Sequence, residues 1–137
     1  MQKMNEQDMD YMLGNMAIEN EKYTAKVWAV VMSMNNSKQS ALNNKYCYLG
    51  LTQNSINIVM INSFNIKSIE NQITVPLNTI TKVKVKKSFI PQRRIVIIET
   101  DSYKMKISVM LNSIGADLPK QKDYAELLFE RLLNINS

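Results

Sequence analysis

Apolar and polar residues alternate along seven separate stretches of this chain, and this period of two constrains its fold more than any other feature. Side chains of a β-strand point in turn to opposite faces, so each stretch predicts a strand with one buried and one exposed face. The seven stretches span residues 23–31, 45–52, 56–61, 73–77, 80–87, 95–100 and 105–111. We therefore predict a sheet of seven antiparallel strands.

Two of the polar connections between these stretches differ in kind. Gln53 and Asn54 separate the second and third strands, and so short a connection is typical of a β-hairpin. The polar run from Asn35 to Asn44 is longer than a hairpin needs, so we predict a loop there. Long loops often carry binding residues.

Two segments outside the strands have helical spacing. In residues 5–20, apolar side chains recur every three or four positions, at Met9, Met12, Leu13 and Met16. After Pro119 an apolar face covers more than half of a second helix, at Tyr124, Leu127, Leu128, Phe129, Leu132, Leu133 and Ile135. So wide a face predicts that the second helix docks deeply on the strands. We divide the chain into a helical segment, 1–22, that packs on the domain or on a partner, and a β-domain, 23–137.

Three short motifs resemble those of bacterial pleckstrin-homology-like (PH-like) and GRAM-like domains. They are YLGLTQNSINI at 48–58, VPLNTI at 75–80 and LPKQK at 118–122. The resemblance covers residues 23–135 and implies a mainly β fold with flanking helices (α+β), a PH-like, partly open seven-stranded barrel capped by the C-terminal helix. Relatives on this fold bind phosphoinositides, peptides or protein surfaces, so the resemblance implies binding without naming the ligand.

The composition argues against catalysis. The chain has no histidine, which is the commonest general base and metal ligand. Its three glycines, at 14, 50 and 115, are too few and too far apart for a phosphate-cradling loop. The single cysteine, Cys47, shares a strand face with Leu49 and Leu51 and is predicted to be a buried structural residue. We expect no catalytic residue, no metal and no cofactor, and hence no enzyme.

Cationic residues concentrate on the last three strands of a chain with a net charge of +5. Alternation sends Lys82, Lys84 and Lys86 to one face of the fifth strand, and Lys104 and Lys106 repeat the pattern on the seventh. If the last three strands are antiparallel neighbours, as the resemblance implies, both stripes lie on one outer sheet surface. Lys87, Arg93 and Arg94 extend this candidate site for an anionic partner at the turn. The alternative interpretation is a solvated sheet face that discourages aggregation.

An apolar patch is predicted on the outer face of the first three strands. Its members are Trp28, Val30, Tyr46, Tyr48, Val59 and Ile61. A patch of this size usually marks an interface. The methionines of the first helix, Met9, Met12 and Met16, are suited to cover it, either in the same chain or across a contact with a dimer mate or another protein.

These observations favour a binding module. The leading expectation is a non-catalytic PH-like adaptor that mediates protein–protein contact or self-association. The alternative is peripheral binding to anionic membrane lipid through the lysine-rich sheet face. Nucleic acid ranks lower, because Tyr103 is the only aromatic residue near that face. With no apolar run long enough to span a bilayer, no secretory leader and one cysteine, we expect a cytoplasmic protein.

Overall fold

A computed structural model describes residues 3–18, 20–36, 40–113 and 115–136, except the side chains of 36–43 and 136. Two α-helices flank the strands, α1 (Glu6–Met16) and α2 (Gln121–Leu133). The strands are β1 (Ala25–Asn36), β2 (Ser40–Leu51), β3 (Ser55–Ile61), β4 (Ile69–Pro76), β5 (Ile80–Lys87), β6 (Arg93–Thr100) and β7 (Tyr103–Met110). Short 3₁₀ turns lie at Leu77–Thr79 and Asn134–Asn136.

The seven strands form one antiparallel sheet in the order β4-β3-β2-β1-β7-β6-β5. β4 and β5 are the two edges, so the sheet is open, and the 3₁₀ turn at Leu77–Thr79 carries the chain from one edge to the other. The predicted fold class is therefore confirmed, with seven antiparallel strands, a C-terminal helix and an N-terminal helix. None of the described helices is both long and apolar enough to cross a membrane.

The main core lies between the inner face of the sheet and α2. Every strand contributes alternate apolar side chains to it, and α2 contributes Ala125, Leu128 and Leu132. Full burial of one large aliphatic side chain stabilises a fold by about 1.5–3 kcal/mol. The docked face of α2 is therefore a major part of the domain's stability, as its wide apolar face predicted.

The predicted loop over residues 35–44 is wrong at 35–36 and 40–44, and residues 37–39 lie outside the described part of the chain. β1 continues to Asn36 and β2 begins at Ser40, and the two strands pair from Ala25–Leu51 to Asn35–Ser40. The physical reason is that β1 is a central strand. β7 pairs with its other side as far as Asn36, so the backbone stays extended although its polar side chains give no alternating pattern.

Candidate functional site

Five lysines lie on the outer surface of β5 and β7, on either side of β6. We call this surface the lysine face, and its members are Lys82, Lys84, Lys86, Lys104 and Lys106. The strand register aligns them, because Lys84 pairs with Ile97 of β6 and Ile97 pairs with Lys106 of β7. All five side chains are exposed. The structure thus places both lysine stripes on one outer surface of the sheet, as expected for three neighbouring antiparallel strands.

The centre of the lysine face is apolar. Ile97 lies between Lys84 of β5 and Lys106 of β7, and Ile95 extends the apolar strip between Lys86 and Ser108. Ile97 is only 6% exposed, although it faces away from the main core. Its cross-strand neighbours, Lys84 and Lys106, have aliphatic stems long enough to cover it while their ammonium groups stay in water. Sequence reasoning missed this strip, although the unbroken apolar run IVII at 95–98 was its signal.

The charge on the lysine face is not balanced locally. Glu99 lies between Lys82 and Lys104 in the register. Even so, the pKa of Lys84 is lowered, first by the positive charge of Lys82 and then by that of Lys86. Glu99 acts in the opposite direction with a smaller effect. The lysine face is therefore a field of mutually repelling positive charges that a partner of opposite charge would relieve.

The three other predicted cations divide between the two sides of the sheet. Arg93 lies on the lysine-face side of β6, in line with Ile95 and Ile97. Lys87 pairs with Arg94, and alternation places both on the opposite side, at the end of the strands. Arg94 Nη1 donates to the carbonyls of Pro91 over 2.9 Å and Arg93 over 3.2 Å. Only Arg93 thus extends the lysine face directly.

The predicted apolar patch lies under α1 of the same chain. The second core contains Met4, Met9, Met12, Leu13, Tyr48, Val59, Ile61 and Leu118, with Met16 and Trp28 packed against it. Val30 is half-buried and Tyr46 is 46% exposed at the margin. The Trp28 and Tyr46 ring centroids lie 6.2 Å apart. Most of the patch is therefore unavailable to a partner while α1 is docked.

Polar contacts hold α1 in this position. The Asn5 amide donates to the Tyr48 hydroxyl over 3.1 Å. At the other end, the Tyr23 hydroxyl donates to the Leu13 carbonyl over 2.5 Å and accepts from Asn57 Nδ2 over 2.9 Å. These bonds satisfy polar groups in the second core, where an unpaired donor or acceptor would be costly.

A separate open cleft of about 870 Å³ lies between the β2–β3 turn and the C-terminal end of α2. Its lining includes Glu21 together with Lys22 and Arg131, so it carries both signs of charge. Glu21 Oε2 accepts from Thr52 Oγ1 over 3.2 Å and from Asn54 Nδ2 over 3.5 Å. The cleft lacks the single sign of charge that distinguishes the lysine face.

Two features bear on reactive and metal-binding groups, the environment of Cys47 and the distribution of the acidic residues. Cys47 is fully buried, and burial raises the pKa of its thiol to about 12, so it stays protonated at neutral pH. No three His, Cys, Asp or Glu side chains of the described part of the chain come together as a metal site.

No protein-family model and no curated protein sequence matches the chain. Solved structures do match it, among them the following three. The hSac2 domain of the human phosphoinositide phosphatase Sac2 matches with a TM-score of 0.57 at 12% identity, over 94% of this chain and 78% of that one.

The other two structures are PH domains. The Vps36 N-terminal PH domain matches with a TM-score of 0.54 at 13% identity, over 88% of this chain and 82% of that one. The PH domain of USP37 matches with a TM-score of 0.53 at 11% identity, over 82% of this chain and 97% of that one. Identities this low show the fold alone, and membership of the bacterial branch stays a prediction. The chain therefore has the fold of pleckstrin-homology domains.

Proposed function

We propose that this domain is a non-catalytic adaptor that binds an acidic surface of another protein on its lysine face. The observation that carries the proposal is the arrangement across three strands, in which Ile97 of β6 lies between Lys84 of β5 and Lys106 of β7, and Ile95 extends this apolar strip beside Lys86. An apolar centre inside a polar rim is the usual anatomy of a protein–protein interface. The matching partner carries carboxylates around a small apolar anchor.

The uncompensated charge supports the same partner. Opposite charges on two surfaces steer their encounter and exclude partners of the wrong sign. The lowered pKa of Lys84 reports repulsion among Lys82, Lys84 and Lys86. Carboxylates placed over these lysines reduce that repulsion, and this adds to the attraction between the opposite charges.

The lysine face supports self-association less well than it supports binding to an acidic protein. A two-fold dimer brings the same patch of both copies together, so two lysine faces would repel. The apolar patch that favoured self-association in the sequence is covered by α1 of the same chain. A different, acidic protein fits both facts.

A bilayer is the alternative occupant of the lysine face, and Glu99 argues against it. This carboxylate lies between Lys82 and Lys104 in the register. Close to an anionic leaflet Glu99 would be repelled, and lipids offer no fixed cation to pair with it. A protein partner can place one lysine or arginine opposite Glu99 and so gain specificity.

The test is an NMR titration of the ¹⁵N-labelled domain with a short synthetic peptide that alternates Glu and Val. The control peptide has Gln in place of every Glu. We expect amide shifts concentrated in β5, β6 and β7 with the acidic peptide only, and weaker binding at about 0.15 M salt, where the Debye length is about 8 Å. Equal binding of both peptides, or shifts confined to the cleft beside α2, would contradict the proposal.

A further inference from the structure

Phe89 is a solvent-exposed aromatic side chain on the loop that joins β5 to β6. It is 91% exposed. Single exposed apolar residues are common on protein surfaces and need no explanation by themselves. The surroundings of Phe89 set it apart, because the loop is rigid and its neighbours share one sign of charge.

The loop is held in one conformation by its own hydrogen bonds. Ser88 Oγ accepts from the Ile90 amide over 3.0 Å and from Arg93 Nε over 3.2 Å. The Arg93 amide donates to the Ile90 carbonyl over 3.1 Å, and the Leu111 amide donates to the Gln92 carbonyl over 2.6 Å. The backbone that carries Phe89 is therefore ordered before any partner arrives, so binding through it costs little conformational entropy.

Cations surround Phe89 on both sides of the loop. Residues 86–94 read KKSFIPQRR and contain four basic residues and no acidic residue. The Arg93 guanidinium carbon lies 5.7 Å from the centroid of the Phe89 ring. Arg94 uses Nη1 to bind two backbone carbonyls, and the remaining donors of its guanidinium fork stay available for a phosphate.

We infer that this loop is a membrane-contact element, in which Phe89 enters the interface of an anionic bilayer while Arg93 and its neighbouring cations bind lipid phosphates. An apolar side chain with flanking basic groups is the composition of segments that lie in the membrane interface. Each basic group near an anionic leaflet adds to the attraction within about one Debye length. The occupant is a lipid surface, because the apolar tip projects away from the sheet instead of lining a pocket.

This inference goes beyond the proposed adaptor function and does not rest on it, although Lys86 and Arg93 border both sites. The loop lies at the end of β5 and β6, whereas the lysine face covers the side of the same strands. A domain held to a bilayer by Phe89 therefore keeps the lysine face open to a protein. The two sites together would let the domain link an acidic protein to a membrane.

Phe64 provides a matched control within the same chain. It is 99% exposed on the β3–β4 loop, where its amide donates to Asn62 Oδ1 over 2.8 Å. The side chain of Phe64 is thus as exposed to solvent as that of Phe89. Its chain neighbours, however, are the uncharged residues Ser63 and Asn65. The nearby cation Lys67 forms an ion pair with Asp8 at 2.9 Å. Phe64 has the aromatic group without the surrounding positive field.

The test is vesicle sedimentation of the full chain at about 0.1 M salt, where the Debye length is about 10 Å. One vesicle is pure phosphatidylcholine and the other contains one quarter phosphatidylserine. We expect binding to the phosphatidylserine vesicles, reduced about tenfold in partition coefficient by Phe89→Ser, the loss expected for one aromatic group leaving an apolar interface. Phe64→Ser should bind like the wild type, and Arg93→Gln with Arg94→Gln should lose binding as Phe89→Ser does.

Wild-type protein that ignores phosphatidylserine vesicles would overturn the inference, and so would a Phe89→Ser variant that binds them normally or falls no further than Phe64→Ser. Circular dichroism checks that the variants fold, as the exposure of both phenylalanines leads us to expect. Phe89→Ser should still bind the acidic peptide at the lysine face. A failure of the membrane inference is therefore distinguishable from a failure of the adaptor proposal.

Discussion

The side chain of Gln121 binds the backbone of Trp28 in both directions. The Trp28 amide donates to Gln121 Oε1 and Gln121 Nε2 donates to the Trp28 carbonyl, each over 3.1 Å. Nε2 also donates to the Met110 carbonyl over 2.9 Å. Pairing between β1 and β7 ends at Val30–Ser108, so Gln121 continues the ladder one step beyond it. Gln121, the first residue of α2, thereby bridges β1 and β7 at the point where these two strands stop pairing.

Replacing Gln121 tests this role. Gln121 is only 2% exposed, so Gln121→Leu leaves the Trp28 amide and two carbonyls buried without a partner. We expect a loss of about 1–3 kcal/mol in the free energy of unfolding, measured by urea denaturation. Lys122→Ala, at the exposed next position of α2, is the control and should change stability by less than about 0.5 kcal/mol. Equal midpoints for the two variants would contradict this account.

Replacement of glycine by alanine should lower the stability of the domain at Gly50 and raise it at Gly14. A Cβ added at Gly50 would lie 2.5 Å from two ring carbons of Tyr23, whereas nothing lies within 4 Å of a Cβ at Gly14. Gly50→Ala must displace Tyr23, whose hydroxyl binds Leu13 of α1, and we expect a loss of about 1–3 kcal/mol. Gly14→Ala in α1 should stabilise by about 0.5–1 kcal/mol. Thermal unfolding of both variants checks the signs, and destabilisation by Gly14→Ala would be inconsistent with the open space there.

Docking of α1 is reported by the single tryptophan. Leu13→Asp places an unpaired charge in the second core, which is unfavourable by several kcal/mol, so α1 should detach. We expect the emission of Trp28 to move to longer wavelength while far-ultraviolet circular dichroism keeps its strand signal, since the main core is separate. Asn15→Asp, at an exposed position of α1, is the control. Unchanged emission in Leu13→Asp would show that something other than α1 covers Trp28.

Stability should fall in alkaline solution because of two buried acids. Burial raises the pKa of the Cys47 thiol and of the Tyr48 hydroxyl to about 12 each. Unfolding lets these groups ionise from about pH 8.5 and 10 respectively, so the unfolded state binds fewer protons above those values. The stability they contribute is complete below about pH 8.5 and is lost as the pH rises towards 12, by at most about 1.4 kcal/mol per pH unit for each group.

Denaturant unfolding between pH 7 and 10.5 measures this slope. Cys47→Val removes one of the two acids at similar volume, so its stability should depend less on pH than that of the wild type. A wild-type stability that stays constant over this range would contradict the assignment of both groups as protonated and buried.

Alternation predicted the parts of the fold that have one apolar and one polar face. β5 begins at Ile80 and ends at Lys87, as its pattern indicated. The ends of β1 and β2 gave no such signal, because the sequence there is polar, although the backbones of Asn35 and Ser40 are paired. Strand pairing there depends on backbone hydrogen bonds, which do not require any pattern of hydrophobic side chains.

The lysines of the candidate site and their common surface were predictable, but the apolar strip between them was not. Each lysine stripe follows from alternation within one strand. The position of Ile97 between Lys84 and Lys106 depends on the register of three strands, which turn geometry and core packing set together. The intramolecular position of α1 was equally beyond the sequence, since a methionine stripe suits an apolar patch in its own chain or in a partner.

The most direct measurement of the central claim is a charge-swap binding experiment on the lysine face. The variant combines Lys82→Glu, Lys84→Glu and Lys86→Glu, and a second peptide replaces every Glu of the acidic probe with Lys. Titration calorimetry at low salt should show the wild type binding only the acidic peptide and the variant binding only the basic one, because complementarity of charge selects the partner. If the variant still bound the acidic peptide as the wild type does, the lysine face would not be the binding surface.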